Sequence, residues 1–283
     1  MFLNLCPETI GIYRQPFTVL LALAQTHGFG GLDVPNDVLQ SAEQASAAGM
    51  AVTAAGLQWG LCWLPCDIMS GDARNYHAGM RTVRRWLPQV ALTGCRRTYL
   101  HLWPGSDTQA YRANFRRHVN RLRPLVELLG EYGVTLGLEF IGPRTLRERF
   151  RFPFIHTLEA TLELADACGP STGMVLDFFH WYTSGGTLEE LRRLLPIDRI
   201  VNVHANDAVA GRPRDEQLDL ERAMPLATGV IDTAPLIAWL RENQYAGPLI
   251  AEPFDPSRQR FSTMPPDAVA REVGKSLRRL LGQ

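Results

Sequence analysis

Four ionisable residues close four short apolar runs between residues 134 and 254 of this 283-residue chain. They are Glu139 in VTLGLEF, Asp177 in GMVLDFFH, His204 in IVNVHAND and Glu252 in PLIAEPF. If each run is a strand, a period of two puts Thr135, Gly137 and Glu139 on one face, and likewise Val175 with Asp177, Asn202 with His204, and Ile250 with Glu252. In a closed parallel barrel that face is the interior, and chemistry collects where the strands run out. Any one of these residues alone reads equally well as a strand-end polar group bonded to backbone. Four on consecutive strands do not, because three carboxylates buried together without a cation carry a heavy penalty or take up protons. The expected chemistry is capture of one divalent ion by three oxygen donors and one imidazole. That set suits Mn²⁺ first, then Mg²⁺ or Co²⁺, better than a structural zinc site.

Other residues carry a functional and a plain reading side by side. His180, set among Phe178, Phe179, Trp181 and Tyr182, is expected to contact substrate; the alternative is a packed histidine. Trp59, Trp63 and Trp103 fall near the ends of strands three and four, where flat apolar faces suit sugar CH groups or simply fill core. His101 shares the parity of Trp103 and is either a pocket residue or barrel filler. His156 is either an acid/base group or a helix-start residue. Asp207 is a candidate partner behind His204. Asp215, Glu216 and Asp219 form either a loop over the site or a solvated turn, and Arg144 and Arg147 either bind phosphate or lie on the surface.

The elements needed to position these groups are visible along the chain. Apolar runs at Phe2–Cys6, Gly31–Val34, Ala51–Leu57, Thr98–Trp103, Val134–Phe140, Gly173–Phe178, Ile200–Ala205 and Pro248–Pro253 read as strands. Amphipathic stretches at Phe17–Thr26, Asp37–Ala48, Tyr76–Leu92, Tyr111–Tyr132, Leu158–Cys168, Leu188–Leu194, Ala234–Asn243 and Pro266–Leu281 read as helices. Gly28, Gly49, Gly133 and Gly247 read as helix ends. Eight strands alternating with eight helices predict an α/β fold, a (β/α)₈ TIM barrel occupying residues 1–283 as one domain.

Composition narrows the function classes. Lys plus Arg and Asp plus Glu are 29 each, so the formal net charge is zero, against the basic excess of a nucleic-acid or anionic-membrane binder. Arg84, Arg85, Arg96, Arg97, Arg116 and Arg117 still cluster in the first half, most simply as solvated helix faces. Five irregularly spaced cysteines imply a reducing compartment rather than a disulfide framework. Cys62 and Cys66 could share a helical face, but no second pair accompanies them. The N-terminus lacks the pattern of a signal peptide, and no apolar run approaches the ~18 residues of a membrane span. The expectation is a cytoplasmic protein with a small-molecule carbohydrate substrate, no nucleic-acid or membrane partner, and a homo-oligomer left open.

These residues resemble the xylose isomerase-like sugar isomerase/epimerase superfamily, which includes D-tagatose 3-epimerases, inosose dehydratases and hydroxypyruvate isomerases. The likeness covers nearly the whole chain and is most specific from residue 134 onward, in LEFIGPRTLR, LDFFHWYTSGGTLEEL, VHANDAVAG, DEQLDLER, TGVID and EPF. It implies a metal held by Glu139, Asp177, His204 and Glu252, with Glu139 and Glu252 also catalytic as the proton-transfer pair. It further implies that His180 and Arg222 bind substrate; on the residue reading above, Trp103 and His101 join them. One departure stands out. Relatives place Pro-Gly where this chain has Pro225-Leu226, and Leu does not readily take a positive φ, so a reshaped Arg222 loop is expected.

The chemistry follows from the residue types. A proton on carbon beside a carbonyl leaves slowly because an enediolate must form; a divalent ion stabilises that charge, and two flanking carboxylates remove and return the proton. The reading is an isomerase or epimerase of a ketose or keto-sugar. The alternative is a lyase, either a dehydratase or a keto-glycoside-cleaving enzyme, which needs one base and an acid for the leaving group. An abasic-site endonuclease shares the barrel but needs more histidine ligands than seven His in the chain readily supply.

Overall fold

The computed structural model describes residues 1–283. Eight strands form one parallel sheet: β1 (Phe2–Leu5), β2 (Gly31–Val34), β3 (Gln58–Cys62), β4 (Arg97–Leu102), β5 (Thr135–Phe140), β6 (Thr172–Asp177), β7 (Ile200–Ala205) and β8 (Pro248–Ala251). Their order is β3-β2-β1-β8-β7-β6-β5-β4, so the sheet curls until its two ends meet. No ladder joins β3 to β4, although they lie side by side; Arg97 Nη1 donates across that seam to the Trp59 carbonyl at 3.4 Å. The result is a nearly closed (β/α)₈ barrel. Its covering helices are α1 (Phe17–Thr26), α2 (Ala42–Ala54), α3 (Ala73–Thr93), α4 (Tyr111–Glu131), α5 (Leu158–Cys168), α6 (Leu188–Leu194), α7 (Ala234–Glu242) and α8 (Pro266–Leu280). No helix is long and apolar enough to cross a membrane.

Two separate apolar clusters hold this architecture. The large one fills the annulus between strands and helices; the small one, Leu61, Tyr99 and Val175 with Trp63 against it, belongs to the barrel interior. Glycine makes room inside the barrel. A Cβ on Gly137 would lie 3.1 Å from the Val175 and Val201 side chains and 3.3 Å from Tyr99. Register then aligns the functional parities: His101 lies beside Glu139, Asp177 beside His204, and Ile250 beside His204. A register shift after Met174 absorbs Val201, so that Asn202 and His204 keep the expected facing.

The third strand departs from the sequence reading. Ala51–Ala54 are the last turn of α2, which starts at the Ser41 cap, where the hydroxyl accepts from Gln44 N, and ends before Gly56 at φ +71. Alanine has the strongest helix preference, and it outweighs the apolar run. Gly49 is therefore inside the helix rather than at its end. Its lack of a Cβ lets α2 approach α3, since a Cβ would stand 2.6 Å from the Thr93 carbonyl. At the end of α7 the left-handed residue is Gln244 (φ 56), not Gly247. Gly28 and Gly133 do take positive φ as expected. All five cysteines are free; Cys62 closes β3 and Cys66 lies in the following loop, so they share no helix.

One histidine of the annulus gives a pH prediction. His118 on α4 is buried, with Nδ1 2.9 Å from the Asn114 carbonyl and its ring 4.6 Å from Phe154. Burial lowers its pKa to about 4. The unfolded chain therefore binds the extra proton first, and stability falls as pH drops from about 6.5 to about 4, by about 3 kcal/mol from this group. Chemical denaturation at several pH values should show this component absent in His118→Gln; an unchanged difference between pH 7 and pH 4 would refute it.

Candidate metal centre

The four strand-end residues converge. Glu139, Asp177, His204 and Glu252 are all buried and offer ligand atoms within 4.8 Å of one another. His204 Nδ1 lies 3.0 Å from Glu139 Oε1, 3.4 Å from Glu252 Oε1 and 3.8 Å from Asp177 Oδ2. Yet His204 Nδ1 and both Glu139 oxygens have no hydrogen-bonded partner. Atoms this close without hydrogen-bond geometry are directed at a shared point rather than at each other. Buried polar atoms without partners are rare and call for an ion or water. Three hard oxygens and one imidazole around such a point fit a divalent cation, so the four residues form a divalent-metal-binding cluster.

The electrostatics agree. Burial disfavours charge on every member. Against burial, Glu139 and Glu252 hold His204 well above the usual histidine range, while His204, with His101, holds Glu139 well below the carboxylate range. Asp177 is raised by burial, and Glu252 and Glu139 add to this against the pull of Arg222. Without a cation the cluster must therefore borrow a proton. A divalent ion held by these four residues would take the place of that proton, with His204 neutral as a ligand.

A second layer orients these ligands. The Asn202 carboxamide stands 3.1 Å from His204 Nε2, and the Tyr99 ring meets the His204 ring edge-on at 5.3 Å. Asn206 Nδ2 donates to Asp177 Oδ2 at 2.9 Å. Asp177 Oδ1 accepts from His180 N at 2.7 Å, capping the short helix Phe178–Thr183. Such partners set ligand orientation and basicity. Asn206, just past β7, and Tyr99, on β4, were not singled out from sequence: a lone Asn or Tyr carries no signal until a neighbouring strand supplies its partner.

Arg222 enters the same centre. Its Nη1 donates to Glu252 Oε2 at 2.6 Å and to Asp177 Oδ2 at 3.1 Å; its Nη2 donates to Asp219 Oδ1 at 2.8 Å and lies 2.9 Å from His180 Nε2. Its guanidinium carbon lies 4.8 Å from the centre of the Phe179 ring and 4.7 Å from that of Phe254. His180 Nδ1 accepts from Gly142 N at 3.1 Å. Burial, then the Arg222 charge, keeps this imidazole neutral, with its pKa pushed down to about 3. A neutral imidazole has one acceptor nitrogen, so it satisfies only one of the two donors facing it. Gly142 is required here, because a Cβ would stand 2.2 Å from the His180 carbonyl.

Leu226, where relatives were expected to carry glycine, takes the left-handed conformation with φ 63. Asp207 shows why that conformation holds. Its Oδ1 accepts from Ala208 N (2.9 Å) and Ile231 N (3.0 Å), and its Oδ2 from Thr228 N (3.0 Å) and Gly229 N (2.8 Å). Its backbone also exchanges two hydrogen bonds with Ala223, next to Arg222. Asp207 is thus a staple for the loop, not a partner behind His204. Asp207→Ala, which removes four accepted bonds, two from buried and two from part-buried donors, is expected to destabilise the protein by about 3 kcal/mol or more. Denaturant titration checks this; a loss below about 1 kcal/mol would contradict it.

The remaining sequence candidates separate. His101 Nε2 lies 3.1 Å from Glu139 Oε2, beside a cavity of about 310 Å³ lined by Trp63, Tyr99, His101 and Trp103. Trp103 is exposed at this rim, 6.5 Å from Phe150. Trp59 faces the helices instead: its Nε1 donates to the Thr93 carbonyl at 2.9 Å and its ring lies 5.9 Å from Phe17. Asp219 reaches the centre, whereas Asp215 pairs with exposed Arg144 at 3.3 Å. His156 sits 2.7 Å from the Phe154 carbonyl, in a separate cavity with Arg144 and Arg147.

Comparison with known proteins places this geometry. An inosose isomerase of Halalkalibacterium halodurans is 30% identical over 145 residues, which is 51% of this chain and 48% of that protein; the chain thus matches about half the length of that relative. A xylose isomerase domain protein from Alicyclobacillus acidocaldarius superposes with a TM-score of 0.80 at 26% identity, over 99% of this chain and 98% of that one. The IOLI protein, crystallised with a zinc atom, shares the fold with a TM-score of 0.78 at 17% identity, over 99% and 96% of the two chains. A family profile described as xylose isomerase-like TIM barrel matches residues 21–280. The chain belongs to the xylose isomerase-like TIM barrel family.

Proposed function

We propose that this protein is a divalent-metal-dependent isomerase or epimerase of a ketose or keto-sugar. The observation that carries the reading is the pair of buried carboxylates, Glu139 and Glu252, whose oxygens lie 3.0 and 3.4 Å from His204 Nδ1. Mn²⁺ suits the donor set best, and a bound divalent ion would supply Lewis-acid stabilisation of charge on substrate oxygens. The protein groups do the rest. Glu139 removes a proton from the carbon beside the carbonyl, and Glu252 returns one from the opposite face. His180 and Arg222 hold hydroxyl and carbonyl oxygens; the two donors competing for His180 favour a substrate oxygen that takes over the Arg222 contact. Trp63 and Trp103 offer flat faces to the sugar.

A lyase on the same barrel is the second reading. It is favoured by His101, whose contact with Glu139 puts an acid where a leaving hydroxyl could take a proton. The substrate needs no phosphate in either case: Arg144 is paired with Glu148 and Asp215, and Arg260 with Glu272. Incubation of the Mn²⁺-loaded protein with a panel of ketoses and 3-keto-sugars in D₂O, read by NMR, tests both. Deuterium at the carbon without loss of water is the expected result. An unsaturated or cleaved product would select the lyase, and a strong preference for phosphate esters would overturn the neutral-substrate reading.

A further inference from the structure

The cavity that holds His156 has a volume of about 520 Å³ and opens between the loops that follow β5 and β7. That size lies within the ~300–1,000 Å³ usual for small-molecule sites. No metal ligand lines it, nor do His180 and Arg222. The charges on its walls are unequally committed. Arg144 serves both carboxylates: Nε donates to Glu148 Oε1 at 2.5 Å and Nη1 to Asp215 Oδ2 at 3.3 Å. Arg147 is left over. Its guanidinium pairs with neither carboxylate, and its Nε is enclosed without a partner, so that it meets the cavity through its terminal nitrogens. Burial lowers its pKa, and the Asp215 charge does not make this good. A guanidinium partly stripped of water and lacking a counter-charge suits a ligand carboxylate, which it grips through two parallel N–H bonds.

His156 narrows the ligand. Its Nδ1 lies 2.7 Å from the Phe154 carbonyl, which can only accept, so Nδ1 carries a proton. Burial, and after it the Arg147 charge, lower the pKa of this ring against the Phe154 bond. The imidazole is therefore neutral at pH 7 and turns a lone pair outward at Nε2. A bare anion meets that lone pair unfavourably. A hydroxyl beside the anionic group donates to it. A 2-hydroxycarboxylate carries both groups, whereas a phosphate ester, with its second pKa near about 6, has no O–H left at pH 8. The walls are also tied in place. Thr145 Oγ1 donates to the Gln217 carbonyl at 2.7 Å, joining the short helix Arg144–Arg147 to the loop of Asp215. The buried Gln217 carboxamide accepts from Val209 N at 3.0 Å and donates to the Val209 and Arg212 carbonyls at 2.9 and 2.8 Å. Phe154 N donates to the Pro104 carbonyl at 2.8 Å and fixes the segment that carries His156.

We propose that this cavity is a binding site for a small 2-hydroxycarboxylate, separate from the metal centre. The carboxylate lies against the terminal nitrogens of Arg147, and the hydroxyl donates to His156 Nε2. The carbon skeleton rests against Phe150 and Pro153. The site does not depend on which reaction the metal centre performs.

The test is a saturation-transfer NMR titration of the full chain with glycolate at pH 8, with acetate and methyl phosphate as companion probes. The protein is stripped of metal, so that glycolate cannot chelate an ion and the three carboxylates of the metal centre disfavour an anion there. Saturable binding of one glycolate per chain is expected. Arg147→Gln should weaken it about ten-fold or more, the loss of a charged hydrogen bond, and Arg147→Lys should weaken it less. Acetate, which lacks the hydroxyl, should bind the parent about five-fold more weakly than glycolate. That gap should close in His156→Phe, which keeps a ring but offers no acceptor. No saturable glycolate binding, or binding untouched by Arg147→Gln, overturns the site. Equal binding of acetate and glycolate to the parent, a gap that persists in His156→Phe, or tighter binding of methyl phosphate overturns the 2-hydroxycarboxylate assignment.

Discussion

Glu139→Gln is expected to lower deuterium exchange at the substrate carbon by ~10²-fold or more while leaving the barrel folded and the metal bound, the scale on which a positioned base contributes. The amide keeps the shape of the carboxylate and one oxygen for the ion, but it cannot accept the proton. Glu139 lies 3.1 Å from His101, so the substitution also removes the negative charge that holds that imidazole toward its protonated form. Glu252→Gln is expected to give a loss of similar size. Because Glu252 Oε2 accepts from Arg222 at 2.6 Å, that variant should also raise the substrate KM by loosening the guanidinium. Metal content by elemental analysis and exchange by NMR, measured on the same samples, provide the check. Exchange near the parent rate in either variant would remove that carboxylate from the proposed pair.

The ligands were legible because two simple periodicities coincide. Each lies at the end of an apolar run, and a parallel barrel gathers all strand ends at one rim. Seven of the eight strands match the hydrophobic pattern closely, as do the helices at Phe17–Thr26, Tyr111–Glu131, Leu158–Cys168, Leu188–Leu194, Ala234–Glu242 and Pro266–Leu280. The third strand did not, because the run that seemed apolar enough is alanine-rich and helix propensity takes it. Partners that depend on pairing across strands were not legible. Asn206 acquires a role only when the end of β7 delivers it to Asp177, whereas Asp219, read from sequence as either a loop over the site or a solvated turn, does reach Arg222 over the mouth. The Asp207 staple explains how Leu226 sustains φ 63: four backbone donors fixed on one buried carboxylate outweigh a local cost of about 1–2 kcal/mol.

Arg222→Ala should separate the metal-free protein from the metal-loaded one. In the arrangement seen here the guanidinium is the nearest fixed cation to Asp177 and Glu252, at 3.1 and 2.6 Å, in a site where both carboxylates are buried. Removing one partner from a buried ion pair leaves the other charge uncompensated, and typically destabilises by about 3–5 kcal/mol. The metal-free variant should show a loss of that size. In the loaded protein, a divalent ion on the same carboxylates compensates them, and the loss should be much smaller. The stabilisation conferred by saturating Mn²⁺ is therefore expected to be larger in Arg222→Ala than in the parent. Denaturant unfolding of both proteins, stripped with chelator and then reloaded, measures the four corners of this cycle. Equal losses in the two states would mean that Arg222 acts on packing between Phe179 and Phe254 rather than on the ligand charges. Loss of bound metal from the variant would instead make it a determinant of the centre itself. Under the proposed function, the loaded variant keeps its metal and loses substrate affinity, because Arg222 and His180 together present the donors that face the sugar oxygens.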